Sequence, residues 1–361
     1  MPGDNGMKGT PESRLVADEV WVSVILLNYN GSAWMKRCLE TLQGQSIFNR
    51  MQIIIADNQS NDGSDHQAQD FTASWTNTLF IQNGCNLGFG GGVNLVTKHA
   101  TGRYLFLLNP DVWLEPRCIE ELYLAAEKAN VGCAGVLVLD YDNDEIQSRG
   151  GIGFDLSGHG VEPPRGYVPT TLFMGHGFAF LRKDLFERIG GYDDLYFLYG
   201  EELDLCWRIW ASGDKIVHAP MARIHHRGAV SVNPKGGSKV VEIRTNDSKR
   251  FYSNRNHLLS LLKNSQHLLL LLIVPSLLLY FVESVAGTIL VGRWSFFERT
   301  FWQPVRECWR LRTHIQANRK SLRGFRKRGD LWMLRFLTWR FARWEDYRRF
   351  FRLGLPRIDA R

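Results

Sequence analysis

The sequence predicts an α/β fold on a mainly parallel, Rossmann-like sheet, followed by a helical C-terminal region. Apolar runs of strand length alternate with helix-length segments from Val20 to Leu139, a spacing that calls for parallel strands joined by crossover helices. Three of those runs end in polar residues suited to ligand contact: Asn28, Asp57 and Asn109–Asp111. In such sheets ligands bind beyond the carboxyl ends of the strands, so these residues are expected to gather on one edge.

The elements follow in order. Val20–Asn28 is an apolar strand and Ser32–Gln43 a helix. Met51–Ala56 is a second strand, closed by the Asx-rich turn Asp57–Ser64. Thr78–Gln82 is a third strand, after which a glycine-rich loop leads to a helix near Val93–Thr101. Arg103–Leu108 is a strand, Glu115–Asn130 a helix and Val131–Leu139 a strand. Residues 145–169 are rich in Gly and Pro and irregular. Thr171–Arg182 reads as a Phe/Gly-rich strand, Lys183–Ile189 as a short helix, and Lys215–Ala219 as a late strand. A long helix is expected over Asp247–Ser265, then an apolar segment from Leu268 to Gly292.

The acidic stretch Tyr199–Arg208 carries Glu201, Glu202 and Asp204 among Phe197, Leu198, Leu203, Leu205, Trp207 and Ile209. Carboxylates crowded beside apolar groups gain proton affinity, which suits one of them to take a proton from a substrate hydroxyl. The same residues also describe an acidic helix N-terminus favoured by the macrodipole. Asp57 at a strand end suits a base edge or a ribose hydroxyl, or is simply a turn residue. Asn86–Asn94 places Gly88, Gly90, Gly91 and Gly92 before a helix, where a backbone can approach a diphosphate. Asp111 is placed to bind a hard divalent cation, or ends its strand at a Pro turn. His225 and His226 point to opposite faces of a strand, so at most one reaches a metal site.

Taken together and in this order, these segments resemble the family 2 glycosyltransferases of the GT-A nucleotide-diphospho-sugar transferase fold, over roughly Val20 to Ser231. The resemblance implies a donor site using Asn28, Asn30, Asp57, Asn86, Gly88, Phe89, Gly90, Asn94 and Asn109. It implies Asp111 and His226 as ligands of Mg2+ or Mn2+, and Glu202 as catalytic base among Glu201, Glu202 and Asp204. Asn109 stands where many relatives have a first aspartate, and Glu202 where Asp is commoner. Asn109-Pro110-Asp111 with the glycine-rich stretch resembles the rhamnosyltransferase-like branch, which implies a dTDP-L-rhamnose donor and a lipid-linked saccharide acceptor in cell-surface polysaccharide synthesis.

Composition frames the rest. Of 361 residues, 44% are hydrophobic and 22% charged, which describes a folded chain. Six cysteines without a Cys-x-x-Cys pair fit a reducing compartment. Residues 1–19 read as a disordered lead-in, 20–243 as the catalytic domain and 244–361 as a membrane-associating region. The net charge of +7 divides into +13 over residues 293–361, with 19 Lys+Arg against 6 Asp+Glu, and −6 over the remainder. A basic tail with Trp302, Trp309, Trp332, Trp339 and Trp344 needs an anionic partner. The apolar segment selects anionic membrane lipid and argues against nucleic acid. Nucleotide sugars are cytosolic, and one crossing would export the basic tail against the positive-inside rule. An in-plane or re-entrant segment at the cytoplasmic face of the inner (plasma) membrane is therefore expected. Two rival readings are a nucleic-acid-binding protein with a basic arm and a transferase-like scaffold without catalysis.

Overall fold

The computed structural model describes residues 19–175, 177–227, 244–344, 347, 348, 354 and 357–359. Nearly all of the expected lead-in, the boundary at 243/244 and part of the tail lie outside them.

A nine-stranded mixed sheet forms the centre of the described chain, running β3-β2-β1-β4-β10-β6-β11-β5 with β7 against β6. Strands β1 (Val22–Asn28), β2 (Met51–Asp57), β3 (Thr78–Gln82) and β4 (Tyr104–Leu108) are parallel. Every residue of β1 is buried, as a strand covered on both faces requires. Helix α1 (Ser32–Gln43) covers one face through Met35, Cys38, Leu39 and Leu42, spaced three and four apart. Helices α2 (Ser64–Thr72), α3 (Gly88–Thr97) and α4 (Cys118–Ala129) complete the layers, with β5 (Val112–Leu114) and β6 (Cys133–Asp140) between and after them.

Three expectations change. The glycines of residues 88–92 form the first turns of α3 and not a loop before it. Their packing explains this: a Cβ on Gly92 would lie 2.6 Å from Leu27 Cδ1, so the bare backbone lets α3 press onto β1. The expected strand over Thr171–Arg182 shrinks to β10 (Phe180–Arg182), because Gly177 adopts a φ of 52° that breaks an extended run. β10 lies antiparallel between β4 and β6, which makes the sheet mixed. Finally, β11 runs far beyond Ala219, from Ile216 to His226. Its register slips between Ala219 and Arg223, where Pro220 has no N–H for the ladder, and the strand then resumes to pair with β5.

Short strands β7 (Ile146–Ser148), β8 (Gly153–Phe154) and β9 (Gly160–Val161) lead to helices α5 (Lys183–Arg188) and α6 (Glu201–Ala211). Beyond the sheet, α7 (Asp247–Asn264) packs on α6, and α8 (Ile273–Val291), α9 (Trp294–Phe297), α10 (Gln303–Arg310), α11 (Arg312–Phe325) and α12 (Asp330–Met333) follow. Leu261, Leu269, Leu272 and Met333 share one core with Phe154, Trp207 and Trp210, so the C-terminal helices are built onto the α/β body. Trp332 belongs to this packing: it lies against Trp210 and Phe336, with the guanidinium groups of Arg328 and Arg335 at 4.2 and 3.8 Å from its ring. Those contacts set Trp332 into the packing of the body, apart from the other tryptophans of the basic tail. Trp309 and Trp339 remain exposed. All six cysteines are free thiols.

Helix α8 is polar inside and apolar outside. Its buried stripe is Ser276, Tyr280, Ser284 and Gly287. The Ser276 hydroxyl donates to Ser157 O at 2.6 Å, and Tyr280 meets His159 at 3.0 Å. Leu271, in the turn before the helix, and Val274, Leu278, Val282 and Ile289 on it are each more than half exposed. Leu269–Val291 is the one helical run among the described residues long and apolar enough to cross a membrane.

Candidate active site

The carboxyl ends of β1, β2 and β4 converge. Asn28 at the end of β1 donates to Asp57 Oδ1 at 2.7 Å, and its Oδ1 is buried without a hydrogen-bond partner among the described residues. Asp57 is fully buried and also accepts from the Ser60 hydroxyl at 2.6 Å and the Ser60 N–H at 2.8 Å. A Cβ on Gly31 would strike both Pro110 Cγ, at 2.5 Å, and Asn28 Oδ1, at 2.6 Å, so the turn after β1 is pressed against Asn109-Pro110-Asp111. Asn30 sits at φ 52°, and its side chain accepts from Asn61 N–H at 2.9 Å, tying this turn to the one after β2.

The stretch read as a diphosphate loop holds the protein together. Asn86 accepts from Gly88 N–H at 2.9 Å and from Asn58, whose amide also donates to Gly88 O at 3.0 Å. Phe89 and Gly90 are buried and pack on Tyr192. Asn94 spends its whole amide on one segment: it donates to Tyr192 O at 2.8 Å and Asp194 Oδ1 at 2.6 Å, and accepts from Tyr192 N–H at 3.0 Å. Asn94, Phe89 and Gly90 are thus engaged in hydrogen bonding and packing within the protein. Gly88, at φ 71°, lies where a Cβ would fall on the Phe197 carbonyl.

Half-buried Asn109 follows β4, and Asp111 comes two residues later, after Pro110. The long β11 brings His226 opposite Val112, and His226 Nε2 lies 3.4 Å from Asp111 Oδ2. His226 Nδ1 lies 2.8 Å from Gln147 Oε1, an acceptor that favours a proton on Nδ1. Asp111 Oδ1 is buried and makes no hydrogen bond among the described residues. An orphaned carboxylate oxygen beside an imidazole nitrogen fits a divalent cation. No group of three or more His, Cys, Asp or Glu gathers for a metal among the described residues. His225 turns the other way and stacks on Trp113 at 3.5 Å between centroids.

Glu201 and Glu202 open α6. Burial raises the proton affinity of both, and the charge of Glu202 raises Glu201 further. Glu201 Oε2 has no hydrogen-bond partner among the described residues. Glu202 lines a cleft with Gly175, Phe178, Tyr192 and Cys206. Before the pair, the chain makes a sharp turn: Phe197, Tyr199 and Gly200 have φ of 60°, 68° and 83°. Two of these carry side chains and are strained. Asn256 on α7 holds the turn by donating to the carbonyls of Tyr196, Leu198 and Tyr199 at 2.8, 2.9 and 2.6 Å. Arg255 donates to Asn256 Oδ1 at 2.9 Å, which orients the amide.

Asp204 does different work from its neighbours, which corrects its grouping with the catalytic carboxylates. Its Oδ2 accepts from Arg208 Nε and Nη2 at 3.0 and 2.7 Å, and its Oδ1 from Asn264 at 2.8 Å and Lys263 at 3.0 Å. Burial acts to raise its pKa, but Arg208 and Lys263 outweigh that and hold it below the usual carboxylate range. Such a group stays ionised and is no proton acceptor at neutral pH. Lys263, itself buried, also pairs with Asp193, which accepts from His314 on α11 at 2.8 Å. Asn256 and Lys263 were invisible to motif reading. The sole sequence signal was an unusual density of polar residues in the middle of α7, which reads equally as a solvated face. Removing one partner of a buried ion pair typically costs about 3–5 kcal/mol. Lys263→Met is expected to lose on that order, measured as the free energy of denaturant unfolding.

The comparisons with known proteins agree with this architecture. Residues 23–190 match the model of glycosyl transferase family 2. The N-acetylglucosaminyl-diphospho-decaprenol L-rhamnosyltransferase of Mycobacterium tuberculosis is 26% identical over 238 residues, spanning 58% of this chain and 76% of that protein. The mannosyltransferase PcManGT from Pyrobaculum calidifontis, solved with GDP-Man and Mn2+, superposes with a TM-score of 0.50 at 15% identity, covering 85% of this chain and 86% of the other. S. aureus TarS 1-349, solved in complex with UDP, gives 0.51 at 12% identity over 84% and 91%. The chain carries a family 2 glycosyltransferase domain on a GT-A fold, and the protein is a glycosyltransferase.

Proposed function

We propose that this protein moves L-rhamnose from dTDP-L-rhamnose, with inversion, onto a lipid-linked saccharide at the cytoplasmic face of the inner (plasma) membrane, in cell-surface polysaccharide synthesis. The observation that carries the transferase chemistry is Asp111, whose Oδ1 is buried without a hydrogen-bond partner among the described residues while its Oδ2 lies near His226, at the sheet edge where Asn28 and Asp57 meet. The rhamnose donor and lipid-linked acceptor rest on the similarity to the mycobacterial rhamnosyltransferase. No nucleic-acid partner is invoked.

In this reading Asn28, Asn30, Asp57 and Asn109 shape the nucleotide end of the site, with Asn86 and Gly88 setting the backbone at the start of α3. Asp111 and His226 would hold Mg2+ or Mn2+, which supplies charge neutralisation for the leaving diphosphate. Glu202 accepts the proton of the acceptor hydroxyl. That oxygen forms the new bond at the anomeric carbon, and the nucleoside diphosphate departs with the old bonding pair. Burial serves this step by making Glu202 a stronger base than a solvated carboxylate. Residues 20–243 form the catalytic domain and 244–361 the membrane-associating region in this assignment. The inside-out polarity of α8 supports lipid contact, since an exposed apolar stripe is costly in water. One face of α8 is fixed to the body by Ser276 and Tyr280, which favours a helix lying along the membrane over one crossing it.

A transfer assay with a panel of dTDP-, UDP- and GDP-sugars, with and without chelator, tests the reading. Turnover is expected with dTDP-L-rhamnose and is lost in chelator and in Asp111→Ala. Preference for a UDP- or GDP-sugar contradicts the donor, and full activity in chelator contradicts the metal.

Glu202→Gln keeps the shape and removes the base, so kcat is expected to fall by about 10²–10⁴ while donor binding persists. In the unaltered enzyme kcat/KM should rise with pH, because only ionised Glu202 accepts a proton. Since burial raises its pKa, that rise is centred above the ordinary glutamate value of 4.5. A rise centred at or below that value rules Glu202 out.

A further inference from the structure

A second charged concavity lies where α7 ends and the apolar segment begins. Its wall includes Ser265, Gln266, Arg319, Arg323 and Arg326, with Lys263 behind them. Lys263 is already balanced by Asp193 and Asp204. The three arginines are not balanced in this way. Arg319 donates to the carbonyls of Leu262, Ser265 and Gln266 at 2.7, 2.5 and 2.8 Å, and Arg326 to that of Asn264 at 2.5 Å. These bonds fix both guanidinium groups at the end of α7 without neutralising them. Asp330 is the carboxylate that reaches this region, and it is occupied by the backbone N–H groups of Gln266, His267 and Leu269. Burial, first, and the charge of Arg323 lower the proton affinity of Arg319, and the charge of Asp330 opposes them without an ion-pair contact.

A separate observation points to a ligand. The Ser265 side chain is 1% exposed, and its hydroxyl has no hydrogen-bond partner among the described residues. A buried hydroxyl left unpaired costs stability unless something fills the position. A hydroxyl among fixed guanidinium groups is donor chemistry for a tetrahedral oxyanion. The source of that anion follows from position. His267 and Leu268, next along the chain, are exposed, and Leu271, Val274 and Leu278 continue outward as the apolar stripe.

We propose that this pocket seats the phosphate group of a membrane lipid, with the Ser265 hydroxyl and Arg323 as its donors and Arg319 and Arg326 supplying fixed charge, while the acyl or polyprenyl chain lies along the exposed face of α8. The proposal rests on the membrane reading of α8 only in choosing a lipid over a free phosphate.

The test uses the full chain and phosphatidylcholine vesicles, alone or containing phosphatidic acid or a polyprenyl diphosphate. Wild type is expected to bind the two phosphate-enriched vesicles more tightly than phosphatidylcholine alone. Ser265→Ala changes no charge, yet it should reduce that preference by about tenfold, the usual worth of a hydrogen bond to a charged group. Arg323→Glu should do so at least as strongly, and Lys320→Glu, on the same helix outside the pocket, by much less. Unchanged melting temperatures certify that the variants fold. Ser265→Ala binding like wild type, or Arg323→Glu and Lys320→Glu losing equally, would mean diffuse attraction and overturn the site. Displacement from vesicles by millimolar inorganic phosphate would overturn the lipid source. Absence of binding to any vesicle, with phosphate still raising the melting temperature of wild type but not of Ser265→Ala, would contradict the membrane reading and leave a phosphate pocket.

Discussion

Two carboxylates inside this protein, Asp193 and Asp204, can be buried only because Lys263 and Arg208 are buried with them. A charge taken out of water is tolerated where its partner and remaining hydrogen bonds are complete. Asp204 meets that condition on both oxygens. Because Lys263 comes from α7 and Asp204 from α6, satisfying the charges also fixes where the two helices dock. His314 draws α11 to the same point. The C-terminal helices are in this way part of the active-site scaffold, although they lie outside residues 23–190.

That docking has a chemical consequence one turn away. Glu201 and Glu202 follow a bend whose backbone is strained at Phe197 and Tyr199. Such a bend persists only when its surroundings overdetermine it. Asn256, presented by the docked α7, supplies the constraint through three carbonyls. The Phe197 carbonyl also accepts from Phe89 N–H at 2.9 Å, which ties the bend to the start of α3. A salt-bridge network, a helix junction and the carboxylates Glu201 and Glu202 are thereby joined into one mechanical unit.

Much of this was legible in sequence, and the failures have causes. The gathering of Asn28, Asp57 and Asn109–Asp111 at one edge was legible because a strand's period and its polar end are local signals. Helix α7 was placed almost to the residue, over Asp247–Asn264 against an expected Asp247–Ser265, by the same reasoning. The four glycines near residue 90 were read as a loop because propensity disfavours them in a helix. Close approach to Leu27 and Tyr192 overrides propensity, and neither residue is near in sequence. Asp204 shows the same limit. Arg208 is visible four residues on, but Lys263 and Asn264 sit far along the chain, so a structural anion looked like a third catalytic one. The apolar character of 268–292 was plain, whereas the polarity of the face it buries emerges only when Ser157 and His159 are brought against it.

Helix α7 holds the bend that places Glu202, the proposed base, and both lie beyond residues 23–190. That placement is tested most directly by Asn256→Leu, a change of similar volume that cannot donate to the three carbonyls. Turnover and donor affinity should be measured together on a variant shown to be folded. The account predicts that kcat falls on the order of 10²-fold, the scale of a small misplacement of a reacting group, while nucleotide-sugar affinity is unchanged. Wild-type kcat in folded Asn256→Leu would contradict it.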